Sequence, residues 1–471
     1  MGNVDINRVM SKGKYYTDFS FLNSGSRFPN SEILGRNAVY RYNNRLYTGE
    51  YARNKNLIAL IDNDYKTIPY KVLSTNFFKL IISKLVGLVF SNDIIIKTGD
   101  IHRDREVASL VEKTRWREDI QRFFKLVEIY GDCPLKTHVD GVTAFEPLNC
   151  FKVVNKYNKQ DVLGFVLYDY IYENDKYGNG RTYVRFEIHS KGSIFEIVKQ
   201  FNGSIYNGGI IGDTVDFIYN NRNISKHGNI YYTGVDDCEL IQWGSLNQEA
   251  DGVYGQSSFM DIKDVVFTLE QRLSSELHIM NEHEKPLLLL GIENFRPNEH
   301  TGQYELKVLN DKYIIKRDEG SNPEYITWDG KLDNSRMYRE DLLSLFYELS
   351  ELGKTFLSGE YSGNVSEETL NNIIKSAIDR GNRDSNEIYY EVKNSLYTLC
   401  RLNGISILPE ELNINFSIGR TDDDKQVAEI IKIITESEIL SKQTMLEKYF
   451  GYNSEQAEAE MEKIRIEKME G

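Results

Sequence analysis

Two short runs in this 471-residue chain carry residue types that ligate metals. "HIMNEHEK" (278–285) holds His278 and His283, and "TDDDK" (421–425) holds three consecutive acids. A zinc-protease helix needs histidines four residues apart, so that both imidazoles leave one face. His278 and His283 are five apart and do not meet that geometry; polar residues at a helix end account for them. The acids of 422–424 fit a cation, but they fit the first turn of a helix as well, where the dipole favours carboxylates. "NGGIIG" (207–212) has the glycines of a phosphate cradle without the strand–turn–helix setting that puts phosphate on a helix N-terminus. The GxxxxGK[ST] and GxSxG patterns do not occur, and no His is framed with a Ser or Cys nucleophile. Cys133, Cys150, Cys238 and Cys400 form no CxxC pair. With no apolar run after Met1, they read as structural thiols of a reducing compartment. The expectation is a protein that is not an enzyme and has no metal or cofactor site.

The most unusual stretch is "SGEYSGNVSEETLNNIIKSAIDRG" (358–381). Ser358, Gly359, Glu360, Tyr361, Ser362, Gly363 and Asn364 make a small, polar loop with little to bury. Ser366 then suits an N-cap, and Glu367 and Glu368 suit the positive end of the helix dipole. Apolar residues at Leu370, Ile373, Ile374, Ala377 and Ile378 continue, past Gly381, at Ile388, Val392, Leu396 and Leu399. The spacing predicts one long helix over 366–402, bent at Gly381. A flexible loop ahead of a long helix is a way to present that loop.

The rest of the pattern supplies a frame for it. "FFKLIISKLVGLVFSNDIII" (77–96) is nearly long enough to span a membrane, but Lys79, Lys84 and Asp93 interrupt it. It reads as a buried helix over 76–90 followed by a strand at 94–97, and no membrane span is expected. Residues 1–75 read as irregular with short helices. A helix over 117–131 ends at Gly131. Alternating runs at 134–139, 150–157, 163–172, 182–190 and 193–199, separated by turn residues, predict a meandering antiparallel sheet. The fold class is therefore α+β. Ile262, Val265, Val266, Leu269, Leu273, Leu277 and Met280 make one stripe over 258–283, stopped by Pro286. Tyr338, Leu342, Leu345, Phe346, Leu349 and Leu352 make another over 335–354. Between them, 285–332 alternates as several short strands. The tail, 422–471, reads as a run of helices.

Composition narrows the function. Hydrophobic residues at 40% and charged residues at 27% describe a folded chain rather than a disordered one. A net charge of −14 argues against gripping nucleic acid over the whole surface, which rewards clustered cations. It is compatible with a surface that nucleic acid passes without sticking.

The order helix, β insert, helix, loop, long bent helix, helical tail resembles the portal proteins of tailed bacteriophages, particularly long-tailed phages of Gram-positive hosts. "NFFKLIISKLVGLVFSNDIII" is similar to an early wing helix of that family, and "LVEIYGDCPLKTHVDG" to its helix–Gly–strand step. The run from "YGQSSFMDIKDVV" to "KPLLLL" is similar to its first stem helix, and 358–383 to its tunnel loop and long kinked helix. The resemblance covers most of the chain but not residues 1–50. It implies a portal-like α+β fold: an N-terminal segment (1–50), an α/β wing (51–257), stem helix 1 (258–284) and a small β-containing clip (285–332). Stem helix 2 (333–356), a tunnel loop (357–365), a long kinked helix with the rest of the wing (366–420) and a helical crown (421–471) complete it. It implies a ring, usually of twelve subunits, at one capsid vertex of the virion, assembled in the host cytoplasm. Double-stranded DNA would pass Ser358 to Asn364 during packaging and ejection. The implied partners are the terminase packaging motor, head-completion or adaptor proteins, and the major capsid and scaffolding proteins. Another head–tail connector or minor head protein is the alternative.

Overall fold

The computed structural model describes residues 15–50, 73–174, 180–248, 252–283, 287–291, 295–297, 304–306, 313–316, 324–326, 333–359, 374–416, 418, 461–462 and 465. The chain divides into one unit of residues 1–48, 78–260 and 351–471 and another of residues 49–77 and 261–350.

In the first unit, the alternating run at 134–139 joins a three-stranded sheet, whereas those at 150–157, 163–172, 182–190 and 193–199 enter a separate seven-stranded antiparallel one. Its order is β1 (Arg27–Phe28), β9 (Gly208–Thr214), β8 (Ser193–Ser204), β7 (Gly180–Ser190), β6 (Val162–Asn174), β5 (Cys150–Val154), with β12 (Asn229–Tyr232) also on β8. Long β6 and β7 pair from Phe165↔His189 to Asn174↔Gly180, and β7 turns into β8 at Ser190↔Ser193. Period-two spacing sends Val166, Tyr168, Val184, Phe186 and Ile197 to one core with Phe21, Phe28 and Phe151. Phe28 meets Tyr168 and Phe186 edge-on, with ring centroids 4.9 and 4.8 Å apart.

The helices of this unit include α1 (Ser31–Thr48), α2 (Phe77–Val89), α3 (Ile101–Thr114) and α4 (Trp116–Tyr130). α2 and α4 fall where the apolar spacing predicts them. β2 (Ile95–Lys97) follows α2 and pairs with β19 (Asn413–Asn415). α1 is longer than the expectation of irregular chain with short helices over 1–75 allows, and α3 forms where no element is predicted. α3 is capped by Asp100, whose side chain accepts from the backbone N–H groups of His102 and Arg103. Gly131 caps α4 in the left-handed conformation, φ 86°, as its position in the sequence predicts. β3 (Asp132–His138) leaves from there and lies between β4 (Gly141–Ala144) and β13 (Ile241–Ser245). A hairpin of β10 (Phe217–Tyr219) and β11 (Arg222–Ile224) is separate.

The second unit contains α5 (Lys263–His283) and α6 (Asp333–Leu349), with short strands in the intervening chain. β14 (Leu287–Gly291) lies between β17 (Tyr313–Lys316), parallel to it, and β18 (Glu324–Ile326), antiparallel. β15 (Phe295–Pro297) and β16 (Tyr304–Leu306) pair as a ribbon. Helix, strands, helix is thus the order expected for 258–354. α5 starts at Lys263, not Ser258: the Ser257 hydroxyl and the Ser258 N–H both donate to the Glu128 carbonyl and hold a turn instead. α6 ends at Leu349, because Glu351 and Gly353 take positive φ (55° and 71°). A short helix, α7 (Lys354–Ser358), follows these two residues.

Candidate functional site

The candidate loop begins at the end of α7. Leu357 is buried, and the Lys84 ammonium stands 5.9 Å from the Phe356 ring centre. Ser358 is the last residue of α7 and is exposed. Gly359 caps it at φ 70°, its N–H donating to the Thr355 carbonyl at 2.9 Å. A Cβ on Gly359 would meet nothing within 4 Å, so backbone conformation, not crowding, favours glycine there. Glu360, Tyr361, Ser362, Gly363 and Asn364 lie outside the described residues, as do Ser366 and the first turns of the expected helix.

From Lys375 the chain is helical: α8 (Lys375–Glu387), then α9 (Tyr389–Leu402). The interruption falls at Ile388 (φ −105°, ψ 6°), not at Gly381, which lies inside α8. The expected single helix over 366–402 is two helices over its described residues, and α8 runs through Gly381. Packing explains the glycine: a Cβ there would approach Val89 Cγ2 at 3.3 Å and Ile418 Cγ2 at 3.4 Å.

The buried face of α8 carries charge, whereas that of α9 is mainly apolar, with Val392, Leu396, Leu399 and Cys400. Arg380 and Asp384 are buried, the Arg380 Nε lying 3.2 Å from Asp384 Oδ2. Arg380 Nη2 is 3.8 Å from Glu128 Oε2 on α4, and the Ser258 hydroxyl donates to the same oxygen. Arg383 pairs with Asp384 at 3.3 Å and with Glu351 at 2.7 Å. Burial pushes the Glu128 carboxyl up to about 8, and the Asp384 charge adds to the shift; Arg380 and Ser258 oppose it. The Glu387 carboxylate accepts from the Asn247 N–H at 2.7 Å. Burial raises Glu387 too, against that hydrogen bond. Burial likewise pushes Glu391 up to about 7, opposed by its own backbone N–H and by the Lys152 charge. Lys152, on β5, sits 5.3 Å from the Trp243 ring centre and 5.2 Å from that of Tyr254. Burial brings it down to about 8, with Asp132 and Glu391 opposing.

In the second unit, Glu276 of α5 joins α6: its carboxylate accepts from the Ser335 hydroxyl and the Arg339 guanidinium, both at 2.6 Å. The stripes predicted for these helices split along their length. Ile262, Val266, Leu269, Leu342 and Phe346 are buried, while Leu277, Met280, Tyr338, Leu345 and Leu349 are exposed.

Among the described residues, no group of three or more His, Cys, Asp or Glu is placed to hold a metal ion. His278 and His283 both lie on α5, and "TDDDK" lies outside the described residues. The glycines of "NGGIIG" serve strand approach: a Cβ on Gly209 would stand 2.5 Å from the Asn202 carbonyl oxygen of neighbouring β8. The four cysteines are buried free thiols, and burial raises their pKa values. No helix among the described residues is long and apolar enough to cross a membrane.

No family model matches the chain, and no curated protein matches it. Among solved structures it is similar to a chain in the neck of an empty gene transfer agent particle with C6 symmetry. The two are 9% identical, with a TM-score of 0.41 over 80% of this chain and 90% of that one. It is also similar to a chain of the native gene transfer agent virion and to one in the native particle's neck with C12 symmetry. Each is 8% identical, with a TM-score of 0.40 over 79% of this chain and 88% of that one. Likeness at this level is coarse and carries no functional argument.

Proposed function

We propose that this chain is a portal-type subunit. It forms a ring at one capsid vertex, provides the channel for DNA packaging and ejection, and has no catalytic site of its own. The order of elements supports the reading: α5, a β insert, α6, then α7 leading into the loop at Gly359, then the broken rod α8–α9. In this reading α5 and α6 are the stem and the insert is the clip that receives the packaging motor and, later, head-completion proteins. Residues 358–364 face DNA, and 421–471 form the crown. The exposed apolar half of α5 and α6 is surface that ring neighbours would cover. An excess of acidic residues suits a wall that DNA slides past, since like charge opposes adhesion.

The purified chain tests this directly. Mass photometry and negative-stain images down the particle axis are expected to show closed rings of about twelve copies with a central hole. A chain that stays monomeric or dimeric over the same concentration range overturns the proposal.

A further inference from the structure

The rod α8–α9 meets the rest of its unit through the fully buried Ala377, Ile388, Val392, Leu396, Leu399 and Cys400, and through a row of ionisable side chains beside them. Arg380, Asp384 and Glu387 recur at i, i+4 and i+7, the spacing that keeps residues on one face of α8, and Glu391 follows on α9 beyond Ile388. Across from them stand Glu128 and the Ser258 hydroxyl, the Asn247 N–H, and Lys152. The charges do not balance. The carboxyls of Glu128, Asp384, Glu387 and Glu391 face Arg380, Arg383 and Lys152, and Arg383 is shared with Glu351. Glu128 Oε1 and Glu391 Oε2 are buried without a hydrogen-bond partner among the described residues. An ionised carboxylate so placed is costly, and a proton is the simplest way to neutralise it.

We infer that this seam is closed by bound protons: α8–α9 docks with Glu128 and Glu391 in their neutral form and loosens when they ionise. The inference concerns the single chain and stands whether or not the chain forms rings.

The sign follows from linkage. An acid that holds its proton more tightly when docked makes the docked state richer in protons, so docking weakens as pH rises. The loss begins above the ordinary carboxyl value of 4.5 and is complete past about 7 for Glu391 and about 8 for Glu128. Lys152 acts in the opposite sense and at higher pH. Burial lowers it from 10.5 to about 8, so above that value the docked state holds fewer protons and docking recovers. Arg36, Asp132 and Cys150 also face Lys152 and set where its own step falls. The rod is therefore held least firmly near pH 8.

Hydrogen exchange of the full-length chain, read by mass spectrometry and corrected for the intrinsic effect of pH on exchange, tests this. Opening of 375–402 relative to 183–201 in β7 and β8 is expected to rise at least tenfold between about pH 5.5 and 7.5, about one decade per pH unit for each proton released. Glu391→Gln should make the rise shallower, and Glu128→Gln with Glu391→Gln should abolish it. Exchange in 375–402 that tracks 183–201 at every pH overturns the inference, as does an undiminished rise in the double variant. If the double variant does not fold, infrared spectroscopy of the parent decides. A buried carboxylic-acid carbonyl band should be present near pH 6 and gone near pH 9, and its absence near pH 6 overturns the inference.

Discussion

Gly131 and Gln256 are in backbone contact: a Cβ on Gly131 would stand 2.5 Å from the Gln256 carbonyl carbon, where no side chain fits. The same glycine is in the left-handed region, and its carbonyl accepts from the Leu246 N–H at 2.9 Å. Gly131→Ala should therefore cost about 2–5 kcal/mol, roughly 1–2 from the left-handed backbone and the remainder from overpacking. Denaturant unfolding should show the midpoint falling with an unchanged slope. A loss under about 0.5 kcal/mol would mean that the 256–257 backbone moves aside freely.

Gly381 calls for a different pair of variants. Alanine gains about 1 kcal/mol of helix propensity. That gain is spent against Val89 and Ile418, whose methyl groups lie 3.3 and 3.4 Å from the new Cβ. Gly381→Ala should leave stability within about 1 kcal/mol of the parent. Gly381→Pro should lose roughly 3 kcal/mol or more, because it removes a helix hydrogen bond inside α8. Paired melting curves and ring yields check both. Equal behaviour of the two variants would show that α8 is not helical at this point.

The insert between α5 and α6 should be dispensable for folding but not for packaging. β14 and β18 are antiparallel neighbours, Leu287 opposite Ile326, so the chain leaves and returns at adjacent points. Deleting 290–328 should leave rings visible by microscopy and no DNA in particles made in infected cells. Normal packaging by the deletant would remove the clip assignment.

Replacing both Glu360 and Tyr361 by Gly should separate stability from function. Loop residues with few apolar atoms contribute little to a core, so the melting temperature of the purified protein should stay within about 2 °C of the parent. DNA per particle should fall. The opposite pattern, lower melting temperature with unaltered packaging, would take the loop out of the channel.

Where apolar spacing was unbroken, the fold could be read from the sequence. The meander β5–β8, α2 with β2, and α4 with its glycine cap follow from period and turn chemistry alone. α1 was hidden because its inner face is mixed. Glu32, Arg36, Asn37 and Asn43 are buried there among Ile33, Val39, Tyr40 and Leu46, so the apolar spacing is interrupted. Their surroundings are distant in sequence: Asn37 donates to the Tyr168 hydroxyl at 2.9 Å, and the Arg36 guanidinium lies 4.6 Å from the Tyr254 ring centre. Tyr40 of the same helix donates to Asp132, which also accepts from Trp243, Ser245 and the Gly255 N–H. The acid row on α8–α9 was concealed for the same reason. Arg380, Asp384 and Glu387 read as solvent-facing charges until Glu128 and Asn247 are brought opposite them. A glycine that admits a neighbouring helix and one that bends its own look alike in a sequence, and at Gly381 only the structure brings up Val89 and Ile418.

The segmented first unit sets a timetable for synthesis. Arg103 on α3 pairs with Glu411, 308 residues later, and β2 waits for β19. At roughly 5–20 residues per second, the ribosome needs on the order of 15–60 seconds to deliver those partners. Over that interval the edge of β2 is bare and Glu128 lacks Arg380. A chain released before Glu411 lacks both that carboxylate and the β19 strand that pairs with β2.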